Sequence, residues 1–478
     1  MRVVVAGAGV GGLAAAVRLA AAGHEVTVCE RGEAPGGKAG RLELDGGFRF
    51  DTGPSLLTMP WVLRDLFAAT GAPLEEELEL VRVEPVTRYR FADGTGFDLS
   101  ADLPRAMEAL EAWSPGAGAD WARFLGTCAG MWRAGETFLA GPPPWPPRRP
   151  RPGQPRLEPL DLVRARPWET LRALARGHAR DPRLRLVIER FATYAGGDPR
   201  RSPAALAVAG YVEHAFGAWH VRGGLYAIVE ALARRLGERG GTLRAGTAVT
   251  GIERAGRRVV AAQTTAGRLP ADLVVWNGDA LALARVLGRR PGPRGRAPER
   301  SVSGFALMLA LRSRSPATVH HEIRFPARYD AEFDDLFAAG RLVRDPTLYL
   351  STSSVTDPGE APADGENLFV LVNAPARPFA PEELDRYERT LIDRVGVRDR
   401  LVASARRTPA DLERETGAVA GAIYGAAPHG RLASLRRPGP VVPGVRGLLR
   451  VGGTGHPGGG LPLVVLGAKM VADLAGPA

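Results

Sequence analysis

Cysteine is nearly absent from this chain: Cys29 and Cys128 are the only two in 478 residues. Two thiols so far apart build no disulfide framework, and no Cys/His spacing of a metal site occurs, so a reducing compartment is expected. Cys29 falls within an apolar run and reads as a small buried hydrophobe. Lysine is equally scarce. Lys38 and Lys469 stand alone, so arginine carries nearly all of the formal charge of +11. The arginines are scattered and alternate with acids, which reads as solvated faces and predicts no nucleic-acid partner. Long apolar runs are missing as well: none approaches the ~20 residues a bilayer-spanning helix needs. The chain opens directly into a strand pattern, which predicts no signal peptide and a cytoplasmic protein, soluble or peripheral at a membrane. No Ser/His/Asp order and no His-Glu-x-x-His pattern supports hydrolysis.

Glycine is plentiful, with 60 residues, and proline follows with 40. The first thirty residues use glycine most tellingly. Arg2 to Ala6 is an apolar, β-branched strand pattern that enters Gly7-Ala8-Gly9-Val10-Gly11-Gly12. An Ala/Leu-rich helical stretch follows, then a second strand, Glu25 to Cys29, ending on Glu30. Strand, glycine turn, helix, strand and acid together form a dinucleotide-binding fingerprint. Gly7 allows the tight turn, Gly9 the approach of backbone to a pyrophosphate, and Gly12 close packing of helix on strand. The helix N-terminus offers free N–H groups to phosphates, and Glu30 sits where a carboxylate accepts from ribose hydroxyls.

Further along, Leu42 to Phe50 alternates around Asp45-Gly46-Gly47 as a hairpin. Short strands are expected at Leu80–Val83, Thr87–Phe91 and Gly96–Leu99, and helices from Ala101 to Phe216. The run Gly141-Pro142-Pro143-Pro144-Trp145-Pro146-Pro147-Arg148-Arg149-Pro150 breaks that helical region and reads as a surface loop, with an apolar-basic membrane-touching loop as its alternative. A second nucleotide-fold portion begins near Gly223, with a buried strand pattern at Asp272 to Asn277 and, finally, a strand-to-glycine turn at Gly447 to Gly453. Ser301 to Leu311 and Leu368 to Ala374 are apolar strands suited to a second, mixed sheet. The fold class is therefore α/β, in five stretches. Residues 1–100, 217–300 and 408–478 make the nucleotide domain, 101–216 a helical substrate and membrane-contact region, and 301–407 the substrate-domain sheet.

The chain resembles the phytoene desaturase family, the flavin-dependent bacterial and fungal carotenoid desaturases, over nearly its whole length. The residues that carry this are Gly7 to Gly12 with Glu30, Gly36-Gly37-Lys38, and Phe50-Asp51-Thr52-Gly53-Pro54-Ser55. Gly217 to Gly224, Ser303-Gly304-Phe305, His320-His321 and Asp345-Pro346-Thr347-Leu348-Tyr349 add to it. So do Thr408 to Leu412, Gly421 to Gly425 and Thr454-Gly455-His456-Pro457-Gly458-Gly459-Gly460-Leu461-Pro462. The resemblance implies a glutathione-reductase-type FAD-binding Rossmann domain with an inserted mixed-sheet and helical substrate domain. It implies FAD as cofactor and a hydrophobic polyene as substrate. Gly7, Gly9, Gly12 and Glu30 would hold the ADP half, and Gly37 and Lys38 would lie along the pyrophosphate and ribityl chain. Gly53, Pro54 and Ser55 would bring backbone to the isoalloxazine, and Val249 would offer its backbone to adenine. Gly453 and the Leu461-Pro462 turn would set a second helix N-terminus by the flavin pyrimidine.

The expected reaction removes two hydrogens from adjacent carbons of an isoprenoid chain, one as hydride to flavin N5. Allylic stabilisation relieves the need for a strong base, and none is identified. His456, beside the expected flavin, is the candidate catalytic residue. Of His320-His321, a strand lets at most one face the substrate. Three substrate outcomes share these motifs: phytoene desaturation, late 3,4-desaturation of hydroxylated carotenoids, and polyene isomerisation. A flavin-free prenyl-binding chaperone is the reading from another class, and the intact glycine motif argues against it.

Overall fold

The computed structural model describes residues 1–141, 159–288, 298–430 and 432–478. Residues 142–150 of the proline-rich run lie outside the described residues. Val3 to Val5 is apolar on both faces, and such a strand is stable only where a parallel sheet is covered on both sides. The structure provides that cover. Five parallel strands run in the order Leu448–Arg450, Leu273–Trp276, Arg2–Ala6, Glu25–Cys29, Thr242–Arg244. One face packs on helix Val10–Ala21, which is buried over all but its last residue and lies against helices Tyr226–Glu238 and Leu461–Ala475. The other face carries an antiparallel meander, Val249–Ala255, Arg258–Thr264 and Gly267–Pro270, whose Ile252, Val259 and Ala262 pack on Val4, Ala6 and Val274.

A second sheet has seven strands in the order Leu401–Arg407, Ser303–Arg312, Gly365–Ala374, Leu348–Thr352, His321–Arg324, Thr87–Arg90, Gly96–Leu99. Every pairing is antiparallel except that of His321–Arg324 with Thr87–Arg90. Helix Pro381–Val395 covers one face through Leu384, Tyr387 and Leu391. Helices Leu103–Trp113, Ala117–Ala140, Leu171–His178 and Pro182–Glu189 form a separate core with Tyr89, Phe97 and Ile323 at the far edge. This moves one expected boundary. Thr87–Arg90 and Gly96–Leu99 were expected within the first nucleotide stretch, but they extend the substrate-side sheet. Their partner strand lies more than two hundred residues away, and alternation in a short strand carries no information about its partner.

The expected hairpin is present as Arg41–Leu44 paired with Phe48–Asp51. Strand Leu80–Arg82 pairs with Trp219–Val221, so the Gly217–Gly224 motif is stitched to the first stretch of the chain. The carboxyl ends of the parallel strands open toward the second sheet, which is where open α/β sheets bind ligands.

Candidate active site

One cavity of about 1200 Å³ begins at those carboxyl ends and runs to the second sheet. Drug-sized ligands occupy sites of ~300–1,000 Å³, so this one has room for more than a single compact molecule. Its wall includes Gly7, Gly9, Glu30, Gly37, Lys38, Gly53, Pro54, Ser55, Val249, Gly453, Leu461 and Pro462. Gly12 lies just beneath: a Cβ there would stand 2.1 Å from the Gly7 carbonyl oxygen and 2.8 Å from Asn277 Nδ2. Nothing larger than glycine lets the helix sit this close to its strand.

Helix Val10–Ala21 starts at Gly9 with no side-chain cap. Its first N–H groups are therefore left to a ligand. Glu30 is buried, its Oε2 accepting from the Ala8 N–H at 2.7 Å and its Oε1 from the Gly32 N–H at 2.9 Å. Each carboxylate oxygen has a second lone pair, so Glu30 ties down the turn and still has acceptor capacity toward the cavity. Helix Leu461–Ala475 likewise starts without a side-chain cap, at Gly460. Two uncapped helix ends, a glycine cradle and a buried carboxylate fit the phosphates and ribose of a dinucleotide.

Lys38, Arg407 and Arg437 are among the cations that line the cavity. Lys38 Nζ donates to the Ile423 carbonyl rather than projecting freely, and burial draws it down to about 8 against the pull of Asp279. Gly53 is required by packing, because a Cβ there would be 1.8 Å from the Lys38 carbonyl oxygen. Arg407 donates to the Thr52 carbonyl at 2.8 Å and Arg437 to the Gly453 carbonyl at 3.3 Å, and both line the cavity. Sequence reasoning missed these two arginines and Asn277. Asn277 donates to the Gly7 carbonyl at 3.1 Å and so braces the glycine turn from the neighbouring strand end. Its signal was present in the buried strand running into Asn277-Gly278, which mirrors the first strand's exit.

His456 does not line the cavity. It is 2% exposed, its Nε2 lies 2.8 Å from the Gly141 carbonyl oxygen, and its ring meets Phe138 edge-on at 4.6 Å. Burial pushes it down to about 4, so it is neutral at pH 7. Its place is to fasten the glycine-rich loop to the end of helix Ala117–Ala140, not to meet a substrate. His320 precedes strand His321–Arg324 and its ring lies 4.3 Å from that of His321, so the two do not alternate across a strand as expected. His321 lines the cavity, between the Val86 and Ser55 carbonyls at 3.1 and 3.2 Å, while His320 turns to the Thr356 hydroxyl at 2.7 Å.

Beyond the nucleotide end the wall becomes apolar, with Met131, Trp132, Phe138, Leu206, Val212, Phe369 and Leu371. A polar cluster interrupts it. Arg190 donates to Tyr194 Oη at 2.9 Å and lies over the Tyr194 and Tyr349 rings, and Tyr194 Oη donates to Glu213 Oε1 at 2.7 Å. Glu213 Oε2 is buried and has no hydrogen-bond partner, and burial raises its carboxyl above the usual carboxylate range. Tyr349 Oη, also on the wall, pairs with Ser55 Oγ at 2.6 Å.

The family model for flavin-containing amine oxidoreductases matches residues 10–400. The hydroxyneurosporene desaturase of Cereibacter sphaeroides is 36% identical, over 99% of this chain and 97% of its own. The phytoene dehydrogenase of Streptomyces griseus is 35% identical, over 99% and 95%. Among solved structures, an oxidoreductase from Methanosarcina mazei superposes with a TM-score of 0.65 at 18% identity, covering 99% of this chain and 100% of that one, a likeness of fold. The chain belongs to the flavin-containing amine oxidoreductases and, among them, to the phytoene desaturase family of carotenoid desaturases. It is a flavin-dependent oxidoreductase.

Proposed function

We propose that the protein is an FAD-dependent desaturase that introduces a C=C bond into an acyclic carotenoid, and that a hydroxylated carotenoid is its preferred substrate. The observation that carries the reading is the continuity of one cavity of about 1200 Å³, from the Gly7–Gly12 turn and Glu30 to an apolar wall that includes Met131, Trp132, Phe369 and Leu371. The uncapped N-terminus of helix Val10–Ala21, Glu30 and the backbone of Val249 would hold the ADP half. Gly53 to Ser55, Gly453 and the Leu461-Pro462 helix start would hold the ring. Bound FAD supplies a two-electron acceptor for the hydride that leaves one substrate carbon while the neighbouring carbon loses a proton. The protein's part is to align the chain and keep water out. Met131, Trp132 and Leu371 do this by apolar contact.

Glu213 favours a hydroxylated substrate over the parent hydrocarbon. A buried acceptor with no partner costs free energy, and a hydrocarbon leaves it unpaired, whereas a hydroxyl donates to it. The relatives named hydroxyneurosporene desaturase support this reading. Phytoene is the second reading, supported by the Streptomyces relative.

The test is turnover of a 1-hydroxylated acyclic carotenoid, its parent hydrocarbon and phytoene by wild type and Glu213→Leu. The expected result is a product two hydrogens lighter, with kcat/KM for the hydroxylated substrate about 10-fold lower in the variant, the worth of one charge-assisted hydrogen bond, and no loss with the hydrocarbon. Preference for phytoene would favour the second reading, and a product of unchanged mass would mean isomerisation.

Peripheral membrane contact belongs to the same proposal. No helix among the described residues is long and apolar enough to cross a membrane. Asp161, Ala165 and Pro167 line the cavity, and beside them Leu160, Val163 and Trp168 are 55%, 55% and 54% exposed. Exposed apolar side chains at a cavity mouth suit a lipid surface from which a polyene enters.

A further inference from the structure

A second cluster lies behind the cavity wall and takes no part in the proposed reaction. His220, on strand Trp219–Val221, is buried, and its Nε2 has no hydrogen-bond partner. That nitrogen points at two buried carboxylates, 3.7 Å from Glu360 Oε1 and 3.9 Å from Asp357 Oδ2. Asp357 and Glu360 are brought together by the single turn Pro358–Glu360. The three ligand atoms lie within 4.8 Å of one another. A third carboxylate adjoins them: a Cβ on Gly224 would touch Glu360 Oε1 at 3.0 Å and Asp51 Oδ1 at 3.2 Å.

Charge makes the arrangement expensive as it stands. Three carboxylates share one buried spot, faced by the half-exposed Arg222, 3.4 Å from Asp357. A hydrogen bond between His220 and either acid would relieve the orphaned nitrogen, but 3.7 Å is too long for one.

We propose that His220 Nε2, Asp357 Oδ2 and Glu360 Oε1 form a structural site for a divalent cation of the Zn²⁺ class. One imidazole with two carboxylates suits zinc better than a hard all-oxygen cation. Zinc bonds of ~2.0–2.2 Å in a tetrahedron set ligand atoms about 3.4 Å apart, so closing 3.7 and 3.9 Å asks only for side-chain adjustment. His320 stands at the edge of the site, its ring 5.1 Å from that of His220 and its Nε2 likewise buried without a partner. The fourth position falls to it or to a water. The cation would join strand Trp219–Val221 to the turn at Pro358–Glu360. Between them lies Asp51, which accepts from the Leu225 and Tyr226 N–H groups at 2.7 and 3.0 Å and leads directly into Thr52–Ser55 on the cavity wall. Such a clamp would hold that wall segment from behind.

The test uses the flavin-loaded, tag-free full chain, stripped by chelator and titrated with ZnCl₂. Metal per chain is read by elemental analysis, and the thermal midpoint is followed alongside. One zinc per chain and a rise in midpoint are expected for wild type, by linkage of binding to folding. His220→Gln and Glu360→Gln should each weaken zinc binding by at least about 10-fold and lose the midpoint rise. Wild type that takes up no stoichiometric zinc overturns the proposal, whether or not the variants fold. So does unchanged zinc content in the folded variants, since the metal would then sit elsewhere.

Discussion

Glu30 shows how much one side chain can be asked to do. Its carboxylate closes the glycine turn through two backbone N–H groups and faces the cavity with lone pairs to spare. Glu30→Ala is therefore expected to weaken flavin retention by about 10- to 100-fold, matching ~1.5–3 kcal/mol for a hydrogen bond to a charged group. Glu30→Gln keeps one acceptor and should lose less. Flavin remaining after dilution and dialysis measures both, and unchanged occupancy in the alanine variant would remove Glu30 from this role. His456 carries a different prediction, now that it is placed off the cavity wall. His456→Gln should leave turnover per bound flavin unchanged while lowering stability. A histidine held neutral near pH 4 in the fold and near 6.5 unfolded adds stability above pH 6.5 that is lost as pH falls toward 4. The stability–pH slope of wild type should exceed that of the variant by up to ~1.4 kcal/mol per pH unit in that window, read from denaturant unfolding. Equal slopes would contradict its burial as a neutral ring. The position of Glu30 was legible in the sequence because it depends on neighbours within one strand–turn–helix unit. The place of His456 depends on Gly141, more than three hundred residues away, so no local pattern could show it.

At the scale of elements, the first strand, glycine turn and helix follow directly from local chemistry. The apolar run, the small residues and the uncapped helix start all agree with one structure. Gly12→Ala tests that agreement: its Cβ would collide with the Gly7 carbonyl oxygen, a backbone atom that cannot move aside. Loss of bound flavin with a drop in thermal midpoint is expected, and a variant that stays yellow would show that the helix can retreat. The hairpin at Arg41–Asp51 was legible for the same local reason. Thr87–Arg90 and Gly96–Leu99 were legible as strands but not as members of the second sheet, because sheet membership is settled by Ile323 and its neighbours across the chain. The Arg190–Tyr194–Glu213 relay was hidden likewise. Arg190 and Tyr194 lie one helical turn apart, but Glu213 arrives from another helix, Val208–Phe216.

At the scale of the whole molecule, two sheets meet over the cavity of about 1200 Å³, polar beside the Gly7–Gly12 turn and largely apolar at its far wall. The mouth beside Leu160, Val163 and Trp168 predicts reversible lipid binding. Replacing all three with serine should reduce co-flotation with anionic vesicles and slow turnover of vesicle-dissolved substrate, while leaving turnover of detergent-dispersed substrate intact. Equal flotation of the two proteins would place the contact elsewhere. The central claim is that a flavin and a polyene share this cavity, and anaerobic single turnover tests it most directly. Mixing the flavin-loaded protein with a 1-hydroxylated acyclic carotenoid should bleach the flavin absorbance as an equal amount of product, two hydrogens lighter, appears. An unbleached flavin, or a product of unchanged mass, would contradict the account.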